Sequence, residues 1–113
     1  MNDLINYSDF TKIEIRLGTI ISAELNNKLR KPSYVLKIDF GDEIGVKKSS
    51  AQLIRNYKVD QLLHKQIAAV INFPKKQIGD LISDVLVLGF PDDNNKPILI
   101  SPDKKLVNGG QLY

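Results

Sequence analysis

Residues 13–25, "IEIRLGTIISAEL", constrain the fold most, because apolar and polar side chains alternate along them. Such alternation is the period of a half-buried β-strand. Thirteen residues is long for a strand, whose usual length is about 5–6, and Gly18 near the middle predicts a sharp bend or a bulge. One face carries Ile13, Ile15, Leu17, Thr19, Ile21, Ala23 and Leu25, and Ile20 breaks the pattern. A long, bent strand of this kind can serve both sides of a small barrel.

The rest of the chain is typical of short strands separated by turn residues. Residues 34–40, "YVLKIDF", alternate and place Tyr34 and Phe40 on the predicted core face. The "GDE" at 41–43 indicates a tight turn before a more polar strand that completes a hairpin. The remaining predicted elements are that strand at 44–51, one or two helical turns within 51–65, apolar strands at 66–73 and 84–90, and a short strand at 97–100.

The order of these elements predicts the fold class. A short helix between strands three and four of five short strands is the connectivity of the OB-fold, an all-β Greek-key barrel. An SH3-like barrel or a small sandwich stays open as an alternative. With 113 residues, no internal repeat and no linker, the chain suits a single domain spanning residues 1–113.

No catalytic or metal-binding constellation is visible in the sequence. Cysteine is absent, which excludes thiol catalysis and Cys-ligated zinc. A single histidine, His64, cannot build a metal site without convergent partners. The segment "GVKKSS" at 45–50 lacks the spacing of a phosphate-binding loop and lies in a strand pattern. We therefore expect a protein that is not an enzyme and that uses no metal and no cofactor.

Basic side chains concentrate in the middle of the chain. Residues 28–76 hold eleven basic and four acidic side chains, whereas residues 1–27 and 77–113 each carry a net charge of −2. A basic middle between acidic ends is the electrostatic pattern of an anion-binding face, although ordinary solvated surface is the alternative. Lys104 and Lys105 lie in the acidic C-terminal part, and we expect them to contribute little to binding.

Three polar clusters would meet on one face of the predicted barrel. They lie in the loop between strands one and two, along strand three, and between strands four and five, where OB-folds usually bind their ligands. Lysine and arginine attract phosphates, and Ser, Asn and Gln can donate to phosphates, sugars or base edges. The predicted nucleic-acid-binding residues are Lys28, Arg30, Lys31, Lys47, Lys48, Ser49, Ser50, Gln52, Asn72, Lys75, Lys76, Gln77 and Ser83.

Aromatic side chains are few at this predicted face, because Tyr34 and Phe40 fall on the core side of their strand. Proteins that bind single strands without sequence preference usually stack bases on exposed aromatic rings. The sequence therefore favours recognition of a folded, phosphate-rich shape.

Several motifs stand in order along the chain: "DFTKIEIRLGTI", "IDFGDEIGVKKSSAQL" and "VINFPKKQIG" followed by "SDVLVLGF". From about residue 8 to the end, they resemble the tRNA-binding-domain family, and specifically its CsaA-type branch of small stand-alone proteins. The wider family includes the domain appended to methionyl- and phenylalanyl-tRNA synthetases. Phe73 directly before Pro74, and "DVLVL" at 84–88, depart from the synthetase pattern and point to the CsaA branch.

The resemblance implies an OB-fold whose terminal extensions, residues 1–10 and 92–113, build a homodimer. It also implies tRNA as a partner. The alternative role that it implies is an export-related chaperone that binds unfolded or secretory polypeptides through an apolar surface. The termini carry the apolar residues Leu4, Ile5, Ile98, Leu99 and Ile100, although these side chains could instead cap the barrel within one chain.

The expected compartment is the cytoplasm. Absence of cysteine fits a reducing compartment. The start, "MNDLINYSDF", shows no basic region ahead of an apolar stretch, as a secretory signal would. No apolar run approaches the roughly 20 residues of a membrane span.

Overall fold

A five-stranded antiparallel sheet forms the centre of the structure, a computed structural model that describes residues 3–28 and 30–113. Met1 and Asn2 of the predicted N-terminal extension, and Leu29, lie outside the described residues. The strands are β1 (Ile15–Asn26), β2 (Ser33–Asp39), β3 (Val46–Ala51), β4 (Gln66–Val70), β5 (Lys76–Ile78), β6 (Leu81–Ser83), β7 (Leu86–Val87), β8 (Gly89–Pro91) and β9 (Pro97–Leu99). The central sheet has the order β3-β2-β1-β4-β7, while β5–β6 and β8–β9 are separate hairpins.

Both helices are short, with five residues in α1 (Tyr7–Thr11) and four in α2 (Val59–Leu62). α2 confirms the helical turn predicted within residues 51–65. His64 follows it with a φ of 69°, the left-handed conformation that often ends a helix. α1 lies in the N-terminal extension, where the sequence pattern indicated no helix. In the described part of the chain, no helix is long and apolar enough to cross a membrane.

The strand order is that of the OB-fold, with α2 placed before the fourth strand of the central sheet, as predicted. The sheet curls until β3, at one edge, meets the segment that precedes β7, at the other edge. Asp84 N donates to Lys48 O (2.8 Å), and Lys48 N donates to Asp84 Oδ2 (3.0 Å). Asp84 therefore joins the two edges of the curled sheet, which we call the half-barrel.

The core lies on the inner face of the curled sheet. Tyr34, Leu36, Ile38 and Phe40 are each at most 7% exposed, which confirms the alternation predicted for this strand. Leu62 of α2 is fully buried in the same cluster. Burying an apolar side chain of this size stabilises a fold by about 1.5–3 kcal/mol, so these residues hold the barrel together.

The middle of β1 differs from the predicted alternation. Ile20, the exception in the sequence pattern, is fully buried, whereas Ile21 is 45% exposed. The register with β2 shifts directly after Ile20, so the irregularity lies at Ile21 and not at Gly18. Gly18 is required for a different reason, because a Cβ there would lie 2.7 Å from Phe40 Cδ1.

Residues 100–112 form a segment that we call the C-terminal strap, and it lies along the first half of β1. Gly109 N donates to Leu17 O (2.8 Å), and Leu17 N donates to Gly110 O (3.0 Å). Leu112 N donates to Ile15 O (2.8 Å). The strap thus pairs with the part of β1 that β2 does not reach, and it satisfies backbone groups that a free strand edge would leave open.

Candidate nucleic-acid interface

A groove runs between the β5–β6 hairpin and the outer face of β2 and β3. Its wider part has a volume of about 600 Å³ and its narrower part about 330 Å³. Asp80 and Leu81, at the tip of the hairpin, line both parts, so the two are continuous. We call it the hairpin groove, and the lysines that line it are Lys28, Lys37, Lys48 and Lys75.

The β5–β6 hairpin forms one wall of the hairpin groove. Ile78 pairs with Leu81 across a two-residue turn, and Gly79 in that turn has a φ of 62°. Glycine adopts positive φ without a steric penalty, which suits it to such hairpin turns. The connection predicted as a loop is therefore largely a hairpin, and it carries Lys76 and Gln77 exposed on β5.

The structure brings residues from all three predicted clusters to this region. Lys28 comes from the loop after β1, Lys48 from β3, and Lys75 from the start of the hairpin. Arg30 and Lys31 are exposed on the same loop as Lys28. These side chains are far apart in sequence, and the curl of the sheet is what places their segments side by side.

Lys75 forms the one ion pair described within the groove. Its Nζ lies 3.6 Å from Asp84 Oδ1, while its side chain is 71% exposed. Exposed pairs of this kind contribute about 0–1 kcal/mol. An incoming phosphate can therefore compete with Asp84 for Lys75 at little cost in stability.

Three predicted residues on or just after β3 do not line the groove. Lys47 is in register with the buried Ile38, so it belongs to the barrel-side face of the strand. Ser50 lies on the outer face but uses its backbone N–H to bind Ser83 Oγ (3.1 Å). Gln52 is exposed just past the end of β3.

Ser49 and Ser83 are buried, which corrects their assignment to the interface. Their exposed fractions are 1% and 7%. Ser83 Oγ accepts the hydrogen bond from Ser50 N and donates to Val85 O (3.4 Å). Both serines help to build the barrel, so we remove them from the candidate site.

Asn72 also has a structural role that its sequence position did not reveal. Its Nδ2 donates to Lys12 O (2.7 Å), and its Oδ1 accepts a hydrogen bond from Glu14 N (2.9 Å). The side chain therefore holds the segment after β4 against the start of β1. Because both ends of the amide are engaged, we remove Asn72 from the candidate site as well.

Lys37 lines the groove but was not among the predicted site residues. It is exposed and lies opposite Lys48 in the β2–β3 register. The sequence did contain the information needed to predict Lys37, because the alternation of β2 places it on the face away from Leu36. Leu81 and Ile82 also line the groove, and they were missed because the hairpin itself was not predicted.

The groove has the chemistry of a binding surface. Its lysines can contact phosphates, the carboxylates of Asp80 and Asp84 can accept hydrogen bonds from base amino groups, and Leu81 and Ile82 add apolar contact area. Within residues 3–28 and 30–113, no group of three or more His, Cys, Asp or Glu side chains could hold a metal ion.

Comparison with known proteins points to one family. A family model described as "Putative tRNA binding domain" matches residues 15–111. The methionine–tRNA ligase of Methanococcoides burtonii is 35% identical over 111 residues. That match covers 98% of this chain and 16% of the ligase, so the chain spans only a small part of the length of such relatives.

Two crystal structures match over their whole length. The CsaA chaperone protein from Picrophilus torridus is 48% identical with a TM-score of 0.89, covering 97% of this chain and 100% of that chain. The chaperone CsaA from Bacillus anthracis str. Ames is 39% identical with a TM-score of 0.92, covering 98% of this chain and 100% of that chain. The resemblance inferred from the sequence motifs is confirmed. The chain therefore belongs to the tRNA-binding domain family, and within that family it is of the CsaA type.

Proposed function

We propose that this protein binds tRNA through the hairpin groove. The observation that carries the proposal is the meeting of Lys28, Lys37, Lys48 and Lys75, from four separate segments, along one groove of a fold that commonly binds oligonucleotides. The exposed Arg30, Lys31, Lys76 and Gln77 extend the same surface on the loop after β1 and on β5. The function is binding, and the proposal assigns no catalytic reaction.

Recognition of tRNA shape and phosphate backbone is the mode that these side chains favour. Lysines contact phosphates, which carry no sequence information. Tyr34 and Phe40 are buried and cannot stack on bases. The exposed rings of the described residues, those of Tyr7, Phe73, Phe90 and Tyr113, line neither part of the groove, so they form no stacking platform there. Different tRNA species should consequently bind within a few-fold of one another.

The proposal also includes a homodimer of single-domain chains, residues 1–113, built by the terminal extensions 1–10 and 92–113. Its support is the exposure of apolar side chains in those extensions: Leu4 is 101% exposed, Ile5 73% and Tyr113 101%. Large exposed apolar side chains that cluster on a surface often mark an interface, and Leu4 and Ile5 are neighbours in the chain. Because tRNA acts where translation takes place, the proposal places the protein in the cytoplasm.

The test is the salt dependence of tRNA binding, measured by fluorescence titration. Each phosphate contact contributes about 0.7–0.9 to the slope of log affinity against log salt concentration. Changing Lys75 and Lys76 together to Ala should therefore lower that slope by roughly one to two units and weaken all tRNAs alike. The matched control is Arg55→Ala with Lys58→Ala, two exposed cations that do not line the groove.

An unchanged affinity in the Lys75/Lys76 variant, with a normal melting curve, would overturn the assignment of this groove. A parent protein that binds no tRNA at low salt would overturn the proposed function altogether. Loss of binding in the Arg55/Lys58 control to the same degree would show that overall charge, and not the groove, determines affinity.

A second candidate function is binding of unfolded polypeptides, and one apolar cleft favours it. The cleft has a volume of about 300 Å³ and lies between β1 and the C-terminal strap, lined by Ile15, Leu17, Ala68, Ile100, Leu106 and Leu112 among others. Binding of apolar side chains there should be insensitive to salt or strengthen with it. Titration of a permanently unfolded polypeptide at two salt concentrations therefore separates this function from tRNA binding.

A further inference from the structure

We propose that RNA is also held in a second place, a cleft at the opposite end of β2 from the loop that carries Lys28. This proposal rests on the proposed function and extends it to residues that the sequence placed outside the site. The cleft lies between the turn at 64–66 and residues 101–108 of the C-terminal strap, and its volume is about 630 Å³. We call it the strap cleft. Its ligand class is the phosphate backbone of RNA.

The strap cleft and the hairpin groove lie in series along one strand. Val35 lines the narrower part of the hairpin groove, Lys37 lines the wider part, and Asp39 lines the strap cleft. All three share the outer face of β2, opposite the buried Leu36 and Ile38. Alternate residues of a strand are about 6.8 Å apart, so the outer face of β2 connects the two sites over a distance of several nucleotides.

The charge of the strap cleft suits an anion. Lys65 comes from the turn before β4, and Lys104 and Lys105 come from the strap. Among the ion pairs of the described residues, none involves these three lysines. Asp39 and Asp103 also line the cleft, and Asp39 Oδ1 already accepts a hydrogen bond from Gly41 N (2.9 Å). The lysines are thus available to phosphate groups.

The wall of the strap cleft is fixed in place before any ligand binds. Gln66 Nε2 donates to Leu106 O (2.6 Å), and Leu106 N donates to Gln66 Oε1 (3.0 Å). Asn108 Oδ1 accepts hydrogen bonds from Thr19 Oγ1 (2.7 Å) and from Gln66 Nε2 (3.1 Å). A loop held in this way loses little conformational freedom when a ligand binds, which favours affinity. Because Leu106 is fixed in this way, the backbone that carries Lys104 and Lys105 is also held in place.

The strap cleft shares Ser101, Pro102, Leu106 and Val107 with the apolar cleft described above, but its charged side chains distinguish it. Ser101 lines it together with the lysines, and a hydroxyl of this kind can donate to phosphate oxygens and sugars, while Thr19, Gln66 and Asn108 are engaged with one another in the wall. An unfolded apolar segment would contact Ile21, Pro102, Leu106 and Val107 there, but it would also have to displace water from the charged groups of Lys65, Lys104, Lys105, Asp39 and Asp103. The strap cleft therefore favours RNA over polypeptide as its occupant.

The experiment compares the salt slopes of tRNA binding for two variants and the parent protein. Changing Lys104 and Lys105 together to Ala should lower the slope by roughly one to two units and weaken binding several-fold at low salt. Lys65→Ala, on the opposite wall, should lower it by about one unit. The Arg55/Lys58 double variant is again the control. Light scattering should show that each variant keeps the assembly state of the parent, because loss of a second copy would also weaken binding.

The outcomes separate this proposal from the proposed function. If the Lys75/Lys76 variant loses slope while the Lys104/Lys105 and Lys65 variants match the parent, the groove binds tRNA and the strap cleft does not. If the Lys104/Lys105 variant changes its assembly state, the Lys65 variant alone decides. Amide chemical shifts provide an independent measurement: a short RNA should shift residues 101–108 together with the hairpin, and a shift confined to the hairpin would overturn the proposal.

Discussion

At the scale of single residues, Gly109 shows how closely the C-terminal strap is packed on the barrel. Its φ is +98°, and a Cβ at this position would lie 2.7 Å from Phe40 O. A residue with a side chain would need both a left-handed backbone and a displaced carbonyl group. Two neighbouring glycines allow a matched comparison, because a Cβ on Gly110 would meet no atom within 4 Å.

Gly109→Ala should lower the free energy of unfolding by about 1–3 kcal/mol, because it forces a non-glycine residue into strained backbone. Gly110→Ala should stay within about 0.5 kcal/mol of the parent protein. Urea denaturation followed by circular dichroism measures both. Equal stabilities for the two variants would show that the strap is free to move away from Phe40.

Asp92 contributes to stability in a pH-dependent way. Its pKa lies below the ordinary value, chiefly because its carboxylate accepts a hydrogen bond from Lys96 N and, next in importance, one from Asn56 Nδ2. Burial acts in the opposite direction and raises the pKa. A hydrogen bond from Asn94 N and the positive charge of Arg55 lower the pKa further. A carboxyl whose pKa falls on folding stabilises the fold above its ordinary pKa of about 3.9. That contribution is lost as pH falls through the lower pKa of the folded state.

Asp92→Asn should therefore lower the melting temperature at pH 7, and the difference from the parent should shrink as pH falls below about 4. Asp93→Asn is the control, because its exposed side chain makes no hydrogen bond within the described residues. Melting curves at pH 7 and at pH 3 suffice. If the difference in melting temperature between Asp92→Asn and the parent stayed constant with pH, the size and packing of the Asp92 side chain, and not its charge, would explain the effect.

At the scale of elements, the closure of the half-barrel depends on short side chains that join β3 to the residues after β5. Ser83 Oγ accepts the N–H of Ser50, and Asp84 exchanges two hydrogen bonds with Lys48. The same contacts set the distance between the β5–β6 hairpin and β3, which is the width of the hairpin groove. Stability and binding geometry are thus linked at this seam.

Ser83→Ala should cost about 1–3 kcal/mol of unfolding free energy, because it leaves the Ser50 N–H without its partner. The slope of tRNA affinity against salt should not change, since the serine contacts no phosphate in the proposed complex. Ser8→Ala, at an exposed position outside both the groove and the strap cleft, is the control. If the salt slope changed while the stability did not, Ser83 would belong to the binding site after all.

For the molecule as a whole, our proposal gives the terminal extensions the role of joining two copies. If they join two copies, two hairpin grooves and two strap clefts act on one tRNA. The overall affinity of two linked sites can then exceed the affinity of either single site by a factor of about 10²–10⁴. The homodimer and the tRNA affinity are therefore coupled in this proposal.

Leu4→Asp with Ile5→Asp should convert the protein to a monomer and weaken tRNA binding more than any single lysine change. Both positions are exposed in one copy, so the fold itself should be retained. Ile54→Asp, 37% exposed in the turn after β3 and outside both parts of the hairpin groove, is the control for adding charge to an apolar surface position. Light scattering at micromolar concentration measures the assembly state of each protein. A parent protein that is already monomeric would contradict the prediction.

Much of the fold and part of the site could be predicted from local pattern. The alternation of residues 34–40 identified β2 and its core side chains, since period-two burial is a local property. The β5–β6 hairpin could not be predicted, because "KQI" and "LIS" are too short and too polar to indicate strands. The roles of Asn72 and Ser83 also escaped prediction, because each depends on a partner that the fold brings from another segment.

The five-stranded OB-fold order, the family and the basic middle of the chain could be predicted from the sequence, because period, turn residues and charge are all properties of neighbouring residues. Which face of β1 points into the core could be read only from the folded structure. Ile20 enters the core because the register shifts beside it, while Ile15 and Leu17 face outward and line the cleft beneath the C-terminal strap. The strap joins β1 to residues more than ninety positions away, and no local pattern contains that contact.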